Sequence, residues 1–199
     1  MKALVINCTL KKSPEPSNTK ALAAVVAVRL SDFHAEVATV RAVDLDIAPR
    51  VVTEAADGGE WPRVHDRLRE SRIFIIASSV SLGRPSSLAQ RVLKRMDAMT
   101  AETDDEDRPV ARKRGAGVVA TGNEDGAHHV ISKIASAADI GSTGPAQAWT
   151  CWHLGPGPGP DYPAEERGRD WAHSTGRTMP DNLCGFAQAL SERPLKALS

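Results

Sequence analysis

The chain has few cysteines, few aromatic residues and no net charge. Its 199 residues include three cysteines, Cys8, Cys151 and Cys184, whose scattered positions exclude a disulfide framework and a CxxC pair. Lys and Arg number 25 and so do Asp and Glu, a balance that disfavours nucleic acid or an anionic membrane as a partner. No signal peptide or membrane-length apolar run occurs. We therefore expect one cytoplasmic domain over residues 1–199.

Alternation of strands and helices dominates the rest of the chain. The β-branched run at 72–77 predicts a strand buried on both faces, followed by a polar loop with Gly83 and Pro85 and by a helix capped by Ser87. Strict alternation predicts a parallel sheet with helices on both faces. The other predicted strands lie at 3–7, 36–43, 115–120 and 146–152. The predicted helices begin after Ser17 or Asn18 and at 61, 87, 127 and 165, the last one interrupted near Pro180.

Three strand-to-helix loops, at 8–19, 78–86 and 121–129, should meet at the carboxyl edge of such a sheet, where ligands bind. The first loop ends in Ser17-Asn18-Thr19 at a helix N-terminus and also carries Lys11 and Lys12. This composition suits an anion site and also suits ordinary helix capping, and the residues alone leave both interpretations open.

The loop at 121–129 places two carboxylates and two histidines close together in sequence. Adjacent His128 and His129 would point about 100° apart on a helix, so we expect no metal site there. Its backbone amides could contact a flat polar ring. No GxSxG, HExxH, P-loop or GxGxxG pattern occurs, so no catalytic residue is assigned. The charged segment 101–114 is predicted to be a solvated surface loop.

Several segments together resemble a known family. They are Lys2–Leu10 (KALVINCTL), Pro16–Thr19 (PSNT), Gly83–Arg91 (GRPSSLAQR), Thr121–His129 (TGNEDGAHH) and the Gly-Pro alternation at 155–160. They resemble the short bacterial, flavodoxin-fold, NAD(P)H-dependent FMN reductases. The resemblance implies an α/β three-layer sandwich with a five-stranded parallel sheet, FMN as cofactor and NAD(P)H as electron donor. It also implies a homodimer that reduces a quinone, a flavin or a similar small acceptor.

The resemblance also implies roles for residues of the three loops. The FMN phosphate would lie on the first loop and the isoalloxazine ring along the other two. The phosphate residues would be Thr9, Lys11, Ser17, Asn18 and Thr19, and the ring residues Ser78, Ser79, Val80, Ser81, Leu82, Gly83, Gly122, Asn123, Glu124, Asp125 and Gly126.

One segment departs from the family pattern. The family usually has Thr-Pro and one or two aromatics before the glycine of the loop at 78–86, whereas this chain has Ser78-Ser79-Val80-Ser81-Leu82. Lost stacking predicts weaker FMN binding. It also favours an alternative, a family member with altered or lost flavin redox activity that binds or acts on another small molecule in a biosynthetic pathway. Trp149, Trp152 and Trp171 are the candidate replacements for the missing aromatics, and they are also candidates for a dimer interface.

Overall fold

Strands and helices alternate along the chain in the predicted order. The computed structural model describes residues 1–49, 59–107, 110–138, 147–154 and 159–193. The strands are β1 (Lys2–Asn7), β2 (Glu36–Arg41), β3 (Ile73–Ser81), β4 (Arg84–Pro85), β5 (Gly115–Thr121) and β6 (Trp149–Trp152). The helices are α1 (Asn18–Asp32), α2 (Trp61–Glu70), α3 (Ser87–Met96), α4 (Ala127–Ala138) and α5 (Arg169–Glu192). The helix predicted to begin at 127 was expected to end at Ile140, and this end, the predicted strand start at 146 and residues 155–158 of the Gly-Pro segment lie outside the described residues.

The five long strands form a parallel sheet in the order β2-β1-β3-β5-β6. The predicted parallel α/β sandwich is confirmed, with the short antiparallel β4 as an addition at the end of β3. Because β1, β3 and β5 are neighbours, the loops that follow them start side by side. Asn7 is in register with Ala77, and Ser79 with Thr121.

The core lies on both faces of the sheet. On one face, Leu4, Phe74 and Ile76 belong to a buried cluster with side chains of α2, α3 and α4. On the other face, residues such as Val5 and Ile75 pack with α1 and α5. β3 is buried from Ile73 to Ser78, which confirms the central strand predicted from its apolar run.

The end of β3 differs from the prediction. The strand continues through 78–81 and pairs with β4, because Leu82 and Gly83 form a two-residue turn with φ of 49° and 68°. Positive φ at both central residues suits the twist of a hairpin. The helix that follows is capped by Ser86 and not by Ser87, since the Ser86 Oγ accepts from the Ala89 N–H at 3.1 Å.

Two further expectations were wrong. α5 continues through Pro180, where packing of the buried Met179, Pro180 and Leu183 overrides a local cost of about 3 kcal/mol. Segment 101–114 is not wholly solvated, because Arg114 is only 4% exposed. Its guanidinium donates to the carbonyls of Leu68, Arg69 and Val110.

Burial is also what distinguishes Arg114 electrostatically. Desolvation, with smaller contributions from Arg72 and Arg69, lowers the pKa of the Arg114 guanidinium to about 10. Charge composition alone did not reveal a long cation that reaches inward to the last carbonyls of α2.

No helix within the described ranges is long and apolar enough to cross a membrane.

Close packing of α5 on the sheet can be tested at Gly117. A Cβ at this position would lie 2.3 Å from Met179 Cε and 2.9 Å from Leu183 Cδ1. Gly117→Ala should therefore lower the free energy of unfolding by about 1–3 kcal/mol in urea titrations. The matched control is Gly185→Ala, since a Cβ there would meet nothing within 4 Å. The control should gain about 0.5–1 kcal/mol in the helix, and equal effects of the two substitutions would contradict the packing described.

Candidate functional site

Hydrogen bonds join the three loops at the carboxyl edge of the sheet, where the sequence predicted that they would meet. The first loop (8–19) is joined to the loop at 78–86, called the third loop because it follows β3, by the Ser86 Oγ, which donates to the Cys8 carbonyl at 2.7 Å. It is joined to the loop after β5 by a buried bond of 2.8 Å between the hydroxyls of Thr19 and Thr121. The third connection runs from the Leu82 N–H to Glu124 Oε1, at 2.7 Å. The three loops therefore form one connected surface.

Two buried hydroxyls lie on the first loop beside the start of α1. Ser17 is the N-cap of the helix, and its Oγ accepts from the Lys20 N–H at 3.2 Å. The Thr9 Oγ1 accepts from the Lys11 N–H at 3.3 Å. Each hydroxyl acts as an acceptor in these contacts and retains a hydrogen to donate. Together with the positive end of the helix dipole, they suit an anion.

Asn7 adds an unpaired donor to this region. Its Oδ1 accepts from the Thr9 N–H at 3.1 Å, so the side chain turns toward the first loop. The residue is 1% exposed, and its Nδ2 has no hydrogen-bond partner among the described residues. A buried amide without an acceptor is costly, and a ligand oxygen would remove that cost. The sequence analysis missed Asn7, although a polar residue at the carboxyl end of a buried strand was a usable signal.

Three predicted phosphate residues make other contacts. The Asn18 Nδ2 donates to Asp161 Oδ1 at 2.9 Å, and the Thr19 side chain bonds to Thr121 in the interior. Lys11 is exposed, with Glu15 at 4.0 Å. Asn18 and Thr19 therefore offer a ligand mainly their backbone N–H groups, which lie in the first helical turn and have no intrahelical acceptor.

The predicted ring residues of the third loop fall into two groups. Ser78 is buried, and its hydroxyl donates to the Ser79 carbonyl and accepts from the Ser86 N–H, so it stabilises the hairpin. Val80 is buried and Ser79 partly so, whereas Ser81 is exposed. Leu82 is 87% exposed, in a left-handed conformation that costs a non-glycine residue about 1–2 kcal/mol. This strain lies at the candidate site, where strained residues concentrate.

Glycines let the third loop and the loop after β5 approach each other closely. Gly126 has a φ of 105°, and a Cβ there would lie 2.6 Å from the Gly83 Cα. A Cβ on Gly122 would lie 2.7 Å from the Val80 Cβ. Between these glycines, the backbone amides of residues 123–125 donate to no other described residue. They are available to the polar edge of a ring.

The segment after β6 supports this loop from behind. Asn123 and Gly159 exchange two hydrogen bonds of 2.9 Å, one of them through the Asn123 side chain. Trp152 lies in the core, its indole Nε1 bonded to the Arg167 carbonyl, and so it presents no ring surface at this edge. Trp149 is partly buried and contacts Trp171, which is 47% exposed.

Neither a thiol nor a metal cluster adds chemistry among the described residues. Cys8 lies fully buried at the end of β1, and burial raises the pKa of its thiol to about 12, so it is no thiolate nucleophile near neutral pH. No three His, Cys, Asp or Glu side chains converge on a metal-binding arrangement in the part of the chain that the structure describes. The edge instead suits a ligand with an anionic group at α1 and a planar polar ring between residues 82–83 and 122–126.

Comparison with known proteins agrees with this geometry. Residues 1–143 match the family described as NADPH-dependent FMN reductase. The chain is 31% identical over 207 residues to 8-demethyl-8-aminoriboflavin-5'-phosphate synthase of Streptomyces davaonensis, covering 98% of this chain and 80% of that protein. It is also 33% identical over 198 residues to a Mycobacterium bovis protein named divalent metal cation transporter MntH. That alignment covers 96% of this chain but only 29% of the longer protein.

Solved structures show the same architecture. The crystal structure of RosB with the bound intermediate 8-demethyl-8-formylriboflavin-5'-phosphate has a TM-score of 0.89 and 29% identity, covering 98% of this chain and 82% of that one. An archaeal flavodoxin has a TM-score of 0.57 at 13% identity, covering 92% of this chain and 99% of its own, which supports the flavodoxin-like fold alone.

The bond between Thr19 and Thr121 can be tested by a double-mutant cycle. Thr121→Val leaves the buried Thr19 hydroxyl unpaired and should lower the free energy of unfolding by about 1–3 kcal/mol. Adding Thr19→Val removes the second polar group and should cost clearly less than the sum of the single effects. Urea titrations measure all three variants, with exposed Thr39→Val as the control. Strictly additive losses would show that the two hydroxyls do not interact.

Proposed function

The chain belongs to the NADPH-dependent FMN reductase family, and from this premise we propose that it binds FMN at the carboxyl edge of its sheet and passes electrons from NAD(P)H to a small acceptor. The family is one of oxidoreductases that use FMN and NAD(P)H. The proposal has three parts. The flavin lies at this edge, and the acceptor is a quinone, a flavin or a similar small molecule. The protein operates as a cytoplasmic homodimer.

The unpaired amide of Asn7 is the observation that carries the proposal. A phosphate in the first loop would accept from this buried Nδ2 and from the hydroxyls of Thr9 and Ser17. The N-terminus of α1 would add first-turn N–H groups to the same anion. The residues present therefore fit a flavin phosphate, with Lys11 at the exposed rim.

The ring would lie between the turn at 82–83 and the loop at 122–126. The amides of residues 123–125 would meet its polar edge, and Leu82 would cover part of one face. The hydrogen bond between Glu124 and the Leu82 N–H would hold the two walls at a fixed separation. When bound, FMN supplies the acceptance of a hydride and the onward transfer of its electrons, while the protein supplies position and electrostatics.

A second candidate function is chemistry on the flavin itself. It is favoured by the similarity to 8-demethyl-8-aminoriboflavin-5'-phosphate synthase, which extends over 98% of this chain and beyond the family match at 1–143. The third loop supports it as well, because a turn without aromatics leaves more of the ring face open to a reactant. In this case the flavin would be the substrate, bound by the same phosphate residues.

One experiment separates the two candidates. The protein is loaded with FMN, NADH or NADPH is added without oxygen, and menadione follows as a quinone acceptor. Bleaching of the visible flavin absorbance, its recovery with menadione and recovery of FMN at unchanged mass are expected for the first candidate. A flavin of altered mass, formed in air with an added amine donor, would support the second. If the flavin neither bleaches nor changes in mass, both candidate functions are overturned.

The phosphate site is tested by the difference between FMN and riboflavin, which lacks the phosphate. Thr9→Val should weaken FMN by roughly 1.5–3 kcal/mol, because it removes a hydrogen bond to a charged group. It should leave riboflavin affinity unchanged. Ser31→Ala removes an exposed hydroxyl at the other end of α1 and is the matched control. Fluorescence titration gives all the affinities, and an equal loss for FMN and riboflavin would place the phosphate elsewhere.

A further inference from the structure

A groove of about 610 Å³ lies between α3 and α4, on the face of the sheet away from α1 and α5. Its volume is within the range of small-molecule sites. Its apolar lining is formed by Leu68, Phe74, Leu93, Met96 and Met99. Methionine side chains adapt to irregular shapes and make favourable sulfur contacts with aromatic rings. The apolar side chains that line the groove therefore suit a planar apolar ligand.

The charged residues of the groove are mostly cationic. Lys94 lies 3.7 Å from Asp97, so these two largely compensate each other. Arg84 on β4 and Lys133 on α4 both line the groove, and neither has a carboxylate partner among the described residues. Arg84 directly follows the turn at 82–83, so this end of the groove opens beside the candidate flavin site.

Arg114 adds a third positive charge to the lining of the groove. It lines the groove while nearly fully buried, and its hydrogen bonds go to three backbone carbonyls. These bonds use three of its five N–H groups. Burial is the main cause of the lowered pKa of its guanidinium, and the nearby charges of Arg72 and Arg69 add to it. An anion in the groove would favour the charged form of Arg114.

We propose that the α3–α4 groove binds an amphipathic aromatic anion, a ring system that carries a carboxylate, sulfonate or phosphate. The ring would lie on the partly exposed Leu93 and Met96, and its anionic group near Arg84 and Lys133. An Arg guanidinium can also stack on such a ring, which favours an aromatic over an aliphatic body. The site would be separate from the phosphate loop at α1, which lies on the other side of β1 and β3.

The probe for this site is 8-anilinonaphthalene-1-sulfonate, titrated by fluorescence into protein saturated with FMN. Saturation with FMN, or with riboflavin if FMN does not bind, blocks the carboxyl edge. The double variant Arg84→Gln, Lys133→Gln should bind the sulfonate about tenfold more weakly or worse, because both charge-assisted contacts are lost. It should bind neutral Nile red as wild type does. Arg177→Gln, an exposed cation on α5, is the matched control and should change neither affinity.

A second variant tests the location of the ring. Ala137→Trp places a large side chain in the groove and should abolish binding of both probes, while urea unfolding verifies that the variant is folded. Unchanged sulfonate affinity in the charge variant, or absence of probe binding in wild type, would overturn the proposal. Light scattering supplies one more contrary outcome. A wild-type dimer that becomes monomeric on Ala137→Trp would mean that a second copy of the chain covers the groove.

Discussion

The hydroxyl of Ser86 holds together the chain segments on which the candidate site is built. It donates to the Cys8 carbonyl after β1 and accepts from the Ala89 N–H at the start of α3. The backbone N–H of the same residue donates to the Ser78 Oγ on β3. All three bonds are buried, so each replaces a bond to water that the folded chain cannot make there. These three bonds thus depend on neutral hydroxyls, which carry no charge that salt could screen.

Much of the fold followed from the sequence because strand and helix periodicities differ and because alternation restricts the topology. The buried run at 73–78, the Pro62-initiated α2 and the meeting of three loops were all predictable on this basis. Within the site, the sequence predicted which loops meet but not which side chains contact one another. Asn18 meets Asp161 across 143 positions, and no local pattern signals such a pair. The same limit applied to Arg114, because two of its three carbonyl partners, Leu68 and Arg69, lie 45 or more residues away on α2.

The third loop shows how a departure from a family pattern can be accommodated. At the segment where the sequence analysis expected Thr-Pro and aromatics from the family resemblance, β3 of this chain continues to Ser81 and closes a hairpin with β4. The bond between the Leu82 N–H and Glu124 and the close approach of Gly83 and Gly126 fix the distance of this hairpin from the neighbouring loop. The chain keeps the family fold with this hairpin in place, as the TM-score of 0.89 to RosB indicates for the architecture as a whole.

The exposure of Leu82 means that its side chain can change without affecting the folding of the core. Its side chain contributes little to the core, and its unfavourable backbone conformation is held by neighbours and not by the side chain itself. Replacement by another residue that is neither β-branched nor proline would leave folding intact, and asparagine or glycine would even relieve strain. Changes of chemistry at the mouth of the site can thus accumulate at this position without compensating changes in the core. The fold therefore places few restrictions on which side chain this turn presents at the candidate site.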